Sequence, residues 1–269
     1  MTDATAASGP VLLKETRNGV RFLRMNRPEK KNALSNELTS ELVRGIEEAA
    51  SDDAVRVVAL MGEGGAFCSG ADLSRREPGD PPPESVEQTA DRVVQLVTGF
   101  RVTCEKPVIA GIDGIAIGAG LALAMCADIR MASSKALFHP GYARAGTSPD
   151  CGLSWTLPAA IGREQAMRFF LDPEVHDADT ALALGLVGEV VPAEGFKQTF
   201  TAYCEKIAEI APLAATQTKR LISRIGLPDD LEAHLRDELA YAARGLKSED
   251  GREAVRAIRE KRKPVFTGR

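Results

Sequence analysis

The sequence predicts an α/β fold, and three observations carry that prediction. Apolar runs of strand length, VRFLRM (20–25), VRVVALM (55–61), PVIAGI (107–112) and IRMAS (129–133), alternate with stretches of helical period. Two of these runs empty into glycine-rich turns that lead into helix starts, GEGGAFCSGADL (62–73) and GIAIGAGLALAM (114–125). From Phe196 the pattern is mostly helical to the end. With 269 residues, 44% of them hydrophobic, the chain can bury a large core, and we divide it into a core over 1–195 and a helical C-terminal region over 196–269.

In order, VLLKET and VRFLRM read as strands joined at Asn18-Gly19, a hairpin signal, and Asn26-Arg27-Pro28 ends the second. Ser35 is placed to cap a helix to about Ala50, with Leu38, Leu42, Val43 and Ile46 on one face. The segment EPGDPPP (77–83) reads as a loop, since proline withholds backbone donors. A helix from about Pro83 to Cys104 follows, with Val86, Val93, Val94, Leu96, Val97 and Phe100 as its apolar positions. Beyond the strand at 108–112 come the strands IRMAS and ALF, then 139–162, whose prolines and glycines predict a substrate-facing loop. Helices are expected over 163–172 and 177–184, with a short strand in GLVGEVVP (185–192). Four more helices, near 196–210, 212–225, 229–245 and 249–262, are separated by breaks at Pro212, Gly226-Leu227-Pro228 and Gly245.

Charge and composition exclude several classes of function. A net charge of −4 gives no electrostatic case for nucleic acid, and Lys261–Lys263 is the longest basic run. No apolar run reaches the roughly 18 residues of a membrane span. The first ten residues lack arginine and carry Asp3, which argues against a transit peptide and for the cytoplasm. The five cysteines, at 68, 104, 126, 151 and 204, include no C-x-x-C pair, so neither a disulfide framework nor a zinc site is expected. His139, His176 and His234 are too scattered for a metal centre or a Ser-His-Asp triad.

The chemistry sits in the two glycine-rich turns. The first amides of a helix have no intrahelical partner, so each turn can offer an N–H to developing negative charge, and two such donors make an oxyanion hole. Taken alone, either turn is equally well read as close helix–sheet packing.

Together, GGAFCSGADL (64–73) and GIAIGAGLALAMCADI (114–129) resemble the two signature segments of the crotonase superfamily, the enoyl-CoA hydratase/isomerase family. The resemblance runs from NRPEKKNALS (26–35) to EKRKPVF (260–266). It implies a spiral of ββα turns, a C-terminal helical region for trimerisation, and a homotrimer or homohexamer. It also implies an acyl-CoA substrate and no cofactor, because coenzyme A is part of the substrate. The oxyanion donors implied are the amides of Ala71 and Ala119, with Ala119 standing where the family usually has glycine. Substrate contacts are implied for Lys30, Asp72 and Leu73, and for Lys261, which matches a tail lysine that reaches a neighbouring subunit's ligand.

Typical hydratases of the family hold water with two glutamates, and here those positions are Ala122 and Tyr142. Neither side chain is a carboxylate. Tyr142 is read either as a hydrogen-bond donor to the acyl group or as a filler of the glutamate's space. Asp150, in TSPDCGLSW, stands where the single-aspartate isomerases of phenylacetate catabolism carry their acid. A lone carboxylate can lift a proton from one carbon and return it to another, and burial would raise its pKa toward a useful range. The competing reading makes Asp150 the cap of a helix starting near Gly152. The expectation is an isomerase with Asp150, Ala71 and Ala119 as its machinery. A hydratase with a non-standard base and a non-catalytic acyl-CoA-binding protein are the alternatives.

Overall fold

The computed structural model describes residues 9–74, 84–172, 174–210 and 212–223, and, toward the C-terminus, 232, 235, 236, 239, 240, 243, 246–262, 264 and 265. Strands β1 (Leu12–Arg17) and β2 (Val20–Met25) form the expected hairpin, with Asn18 at φ 49° and Gly19 at φ 75°, as a tight primed turn requires. Helix α1 (Asn36–Ser51) starts at Ser35, whose side chain accepts the Leu38 amide, and all four of its expected apolar positions are buried. Then come β3 (Val57–Gly62), α2 (Val86–Thr98), β4 (Val108–Ile112), β5 (Ile115–Ile117), α3 (Ala119–Met125), β6 (Ile129–Ser133) and β7 (Leu137–His139). The order continues with α4 (Leu153–Ile161), α5 (Arg163–Leu171), β8 (His176–Asp177), α6 (Ala178–Leu184), β9 (Glu189–Val191), α7 (Phe196–Ala208), α8 (Pro212–Ser223) and α9 (Glu249–Arg259).

Two sheets result. The larger runs β1-β2-β3-β4-β6-β9 and is parallel throughout except for the hairpin; the smaller runs β5-β7-β8. The central strands β3 and β4 are buried on both faces, which is why they read as unbroken apolar runs. Alternate residues serve two cores: Val58 and Leu60 of β3 face the larger one, and Val57, Ala59 and Met61 face the other. Helix α7 closes the second face with Phe196, Phe200, Cys204 and Ala208. Gly111 of β4 makes room for it, since a Cβ there would lie 2.9 Å from the Phe200 ring. Lys219 of α8 is buried and ion-paired to Asp128 at 2.9 Å, and it donates to the Phe100 and Lys106 carbonyls.

Four expectations need correcting. Helix α2 begins at Val86, not Pro83, because Ser85 and Gln88 form a reciprocal capping box, and Val86 itself is exposed. Its far end loosens into a π-turn over Gly99–Thr103. The glycine-rich stretch after β4 does not pass straight into a helix, because Ile115–Ile117 form a strand of the second sheet. Residues 153–161, read as loop, form α4 despite Pro158. Leu153 and Leu157, one turn apart and fully buried, fix it to the core, and that packing outweighs the local composition. The 77–83 loop, His234, and most of the helix expected over 229–245 with the breaks that bracket it lie outside the described residues.

Candidate active site

The first glycine-rich turn is held from below by the segment after β2. Asn32, fully buried and left-handed at φ 56°, donates to the carbonyls of Glu63 (2.9 Å) and Ala66 (2.7 Å) and accepts the Arg27 amide. The Arg27 guanidinium bonds the Ala33 carbonyl and, at 2.7 Å, the Asp72 carboxylate. Leu34 bridges Ala71 in strand fashion, taking the Gly70 carbonyl and the Asp72 amide. In such a parallel bridge the middle residue's own amide points the other way. The Ala71 N–H is thus turned from Leu34, and it meets no acceptor among the described residues.

The second turn is strapped to the first. Cys68 bridges Ala116, donating its amide to Ile115 and accepting from Ile117 through its carbonyl. Helix α3 then starts at Ala119, whose N–H comes too early in the helix to have an intrahelical acceptor. Two glycines permit the contact. A Cβ on Gly120 would stand 2.4 Å from the Cys68 carbonyl oxygen; one on Gly70, at φ 99°, would stand 2.8 Å from the Ile117 oxygen and 3.6 Å from the Ala119 nitrogen. The two turns therefore touch, each with an uncommitted amide beside the contact.

The acid arrives on the segment after β7. The Gly118 amide donates to the His139 carbonyl at 3.1 Å, and Gly141, at φ 80°, packs on Ile117 and Gly118. Tyr142 is buried behind it, and its hydroxyl donates to Asp150 Oδ1 at 2.9 Å. Burial pushes the Asp150 carboxyl above its usual range, opposed by hydrogen bonds from Tyr142 and the Cys151 thiol. Burial, with the neighbouring Asp150 charge, holds the Tyr142 phenol well above the ordinary tyrosine value. The cap position of α4 belongs to Gly152, so the reading of Asp150 as that cap does not hold.

The other expected positions divide. Lys30 ends a 3₁₀ turn and reaches Ser74 Oγ at 3.2 Å, beside the first turn, where Leu73 is exposed. The Asp72 side chain is engaged by Arg27 and by Ser74, which outweigh burial and keep its carboxyl below the usual range. That side chain braces the turn. Ala122 is fully buried inside α3. Lys261 occupies an exposed left-handed turn after α9, at φ 53°, and no described contact joins it to Asp150 or to either turn.

Sequence reasoning missed Arg27 and Asn32 as braces of the first turn. The left-handed backbone at Lys31 and Asn32 has no strong local signature, although asparagine tolerates it best. It expected a helix near 249–262 but not that this helix, α9, packs on the Ala143–Ala145 turn between Tyr142 and Asp150. Gly146 allows the approach, since a Cβ there would lie 3.1 Å from the Asp250 carbonyl oxygen.

Comparison with known proteins gives the family and the fold. The family profile "Enoyl-CoA hydratase/isomerase" matches residues 15–269. Over 263 residues the chain is 35% identical to an (E)-benzylidenesuccinyl-CoA hydratase of Thauera aromatica, covering 96% of this chain and 99% of that one. It is 32% identical over 263 residues to a 1,2-epoxyphenylacetyl-CoA isomerase of Escherichia coli K12, with 96% and 98% covered. The crystal structure of an enoyl-CoA hydratase from Mycobacterium avium subsp. paratuberculosis K-10 superposes with a TM-score of 0.86 at 31% identity, covering 96% of this chain and 98% of that one. With its crotonase-type α/β fold, the chain belongs to the enoyl-CoA hydratase/isomerase family and is an enzyme of that family acting on a coenzyme A thioester.

Proposed function

We propose that the enzyme moves a carbon–carbon double bond in an enoyl-CoA, with Asp150 as the single proton carrier. The observation that carries this reading is the pair of residues at the two glutamate positions: Ala122 is buried in a helix, and Tyr142 points its hydroxyl at Asp150. Neither supplies a second carboxylate to activate water beside Asp150. In a 3-enoyl thioester, Asp150 takes a proton from C2. The electrons of that C–H bond flow into a dienolate, whose oxygen accepts hydrogen bonds from the Ala71 and Ala119 amides. The protonated Asp150 then returns the proton to C4, leaving a 2-enoyl thioester and a regenerated carboxylate. Two preorganised donors lower such a barrier by several kcal/mol, since one oxyanion-hole donor alone is worth about 3 kcal/mol.

Burial suits Asp150 to both halves of the cycle, because an acid with a raised pKa is a stronger base and still returns its proton readily. Lys30 and Leu73, beside the first turn, are the proposed contacts for the rest of the thioester, with Lys261 supplied across an oligomer interface. The five cysteines are thiols rather than disulfides, which supports a reducing compartment, the cytoplasm; among the described residues no helix is long and apolar enough to cross a membrane.

The test uses purified enzyme with 3-enoyl- and 2-enoyl-CoA. Isomerisation is expected, and Asp150→Asn should lower kcat by at least about 100-fold, the usual contribution of a general base. In deuterium oxide a single half-buried carrier should return part of the original hydrogen, so the product gains less than one deuterium. Hydration of the 2-enoyl substrate without isomerisation would favour the hydratase alternative, and tight binding without turnover the binding-protein alternative.

A further inference from the structure

We propose that Tyr142 is a positioning residue for the acid–base step: its buried hydroxyl, 2.9 Å from Asp150 Oδ1, holds that carboxylate in place and in the form that abstracts the proton. The inference rests on Asp150 being the base. Rotation of the Asp150 carboxyl about its Cβ–Cγ bond would break the Tyr142 hydrogen bond, and the tyrosine is itself fixed. Its side chain is buried, and its carbonyl accepts the amides of Ala145 at 3.0 Å and Thr147 at 3.1 Å.

Chemistry points the same way. A phenol is a donor only while protonated, and burial keeps Tyr142 protonated throughout the working range. A donor aimed at a carboxylate favours the ionised form and so counters the desolvation that raises the Asp150 carboxyl. The Cys151 thiol adds a second donor. Among the described residues, Tyr142 and Cys151 are the titratable groups that bond the carboxyl. Arg144 on the intervening turn, and Asp250 and Glu253 on α9, stand on the surrounding elements. The residue at the second glutamate position thus acts on the remaining acid, and more than volume is asked of it.

Tyr142→Phe keeps the ring and removes only the hydroxyl, so it separates positioning from space filling. We expect the acid limb of the kcat profile to move up by about one pH unit, with plateau kcat down about tenfold and KM within about twofold. Cys151→Ala should move the limb the same way by less. A Tyr142→Phe enzyme with unchanged profile and kcat overturns the proposal in favour of filling, and a raised KM at constant kcat overturns it in favour of substrate contact. If Asp150→Asn retains full activity, the base assignment falls first, whatever Tyr142→Phe does. Should Tyr142→Phe fail to fold, the native enzyme still decides. It has only three tyrosines, so a ¹³Cζ-tyrosine label resolves them, and Tyr203→Phe assists the assignment. The Tyr142 signal should titrate with the midpoint of the acid limb, and a flat Tyr142 signal overturns the proposal.

Discussion

Asp150 shows how a site residue can work against the fold that holds it. Its carboxyl lies above the usual range because burial penalises the charge. Between its unfolded and folded pKa values the native chain holds a proton that the unfolded chain has released. Stability therefore declines as pH rises through that window and stays lower above it. Asp150→Asn removes the penalty. Its melting temperature should exceed the native enzyme's near pH 8, with the gap closing toward pH 4, as a pair of thermal unfolding series would show. A native enzyme that melts higher across the whole range would mean that Tyr142 and Cys151 more than offset the burial. Asp72 is the opposite case: bonded to Arg27 and Ser74, its depressed carboxyl contributes stability above its unfolded value, and acid removes it.

Among the elements, the site depends on how closely α3 and β5 approach the first turn. Gly120→Ala would force a methyl to 2.4 Å from the Cys68 carbonyl oxygen, and backbone can relieve that only by separating the turns. We expect about 100-fold lower kcat/KM, the usual consequence of an ångström of misplacement, and a loss of about 2–4 kcal/mol in denaturant unfolding. Gly65→Ala is the control. A Cβ there meets nothing within 4 Å, so only its positive φ of 77° matters, about 1–2 kcal/mol with kinetics unchanged. Equal kinetic losses in both variants would show that the turns do not act as a pair. The sequence marked both turns by their glycines, but the role of each glycine became visible only with the partner backbone in view.

For the molecule as a whole, Met167 and Leu171 on α5, Val175 before β8, Leu182 on α6 and Leu137 on β7 are exposed by 40–68%. They lie on α5, α6 and β7 and just before β8, and we propose them as the contact face of an oligomer. Light scattering on the purified protein should give three or six times the chain mass of 28.7 kDa, and Leu171→Glu should shift it toward the mass of one chain. A native single-chain mass would remove the basis for Lys261 as a contact across subunits.

What the sequence determined by itself was local or periodic: the Asn18-Gly19 hairpin, the Ser35 cap, the apolar strands and the two glycine-rich turns. Each of these rests on backbone preference or burial period within a few residues. What only the tertiary structure decided joins residues distant in the chain. Arg27 meets Asp72, Asn32 meets Ala66, and α9 packs beside the segment that carries the acid. The hydrogen bond from Tyr142 to Asp150 spans only eight residues, yet it depends on β7, Gly141 and α4 being packed first. Sequence propensity describes one segment at a time. The direction of a side chain in the core is set by neighbours that the local sequence does not contain.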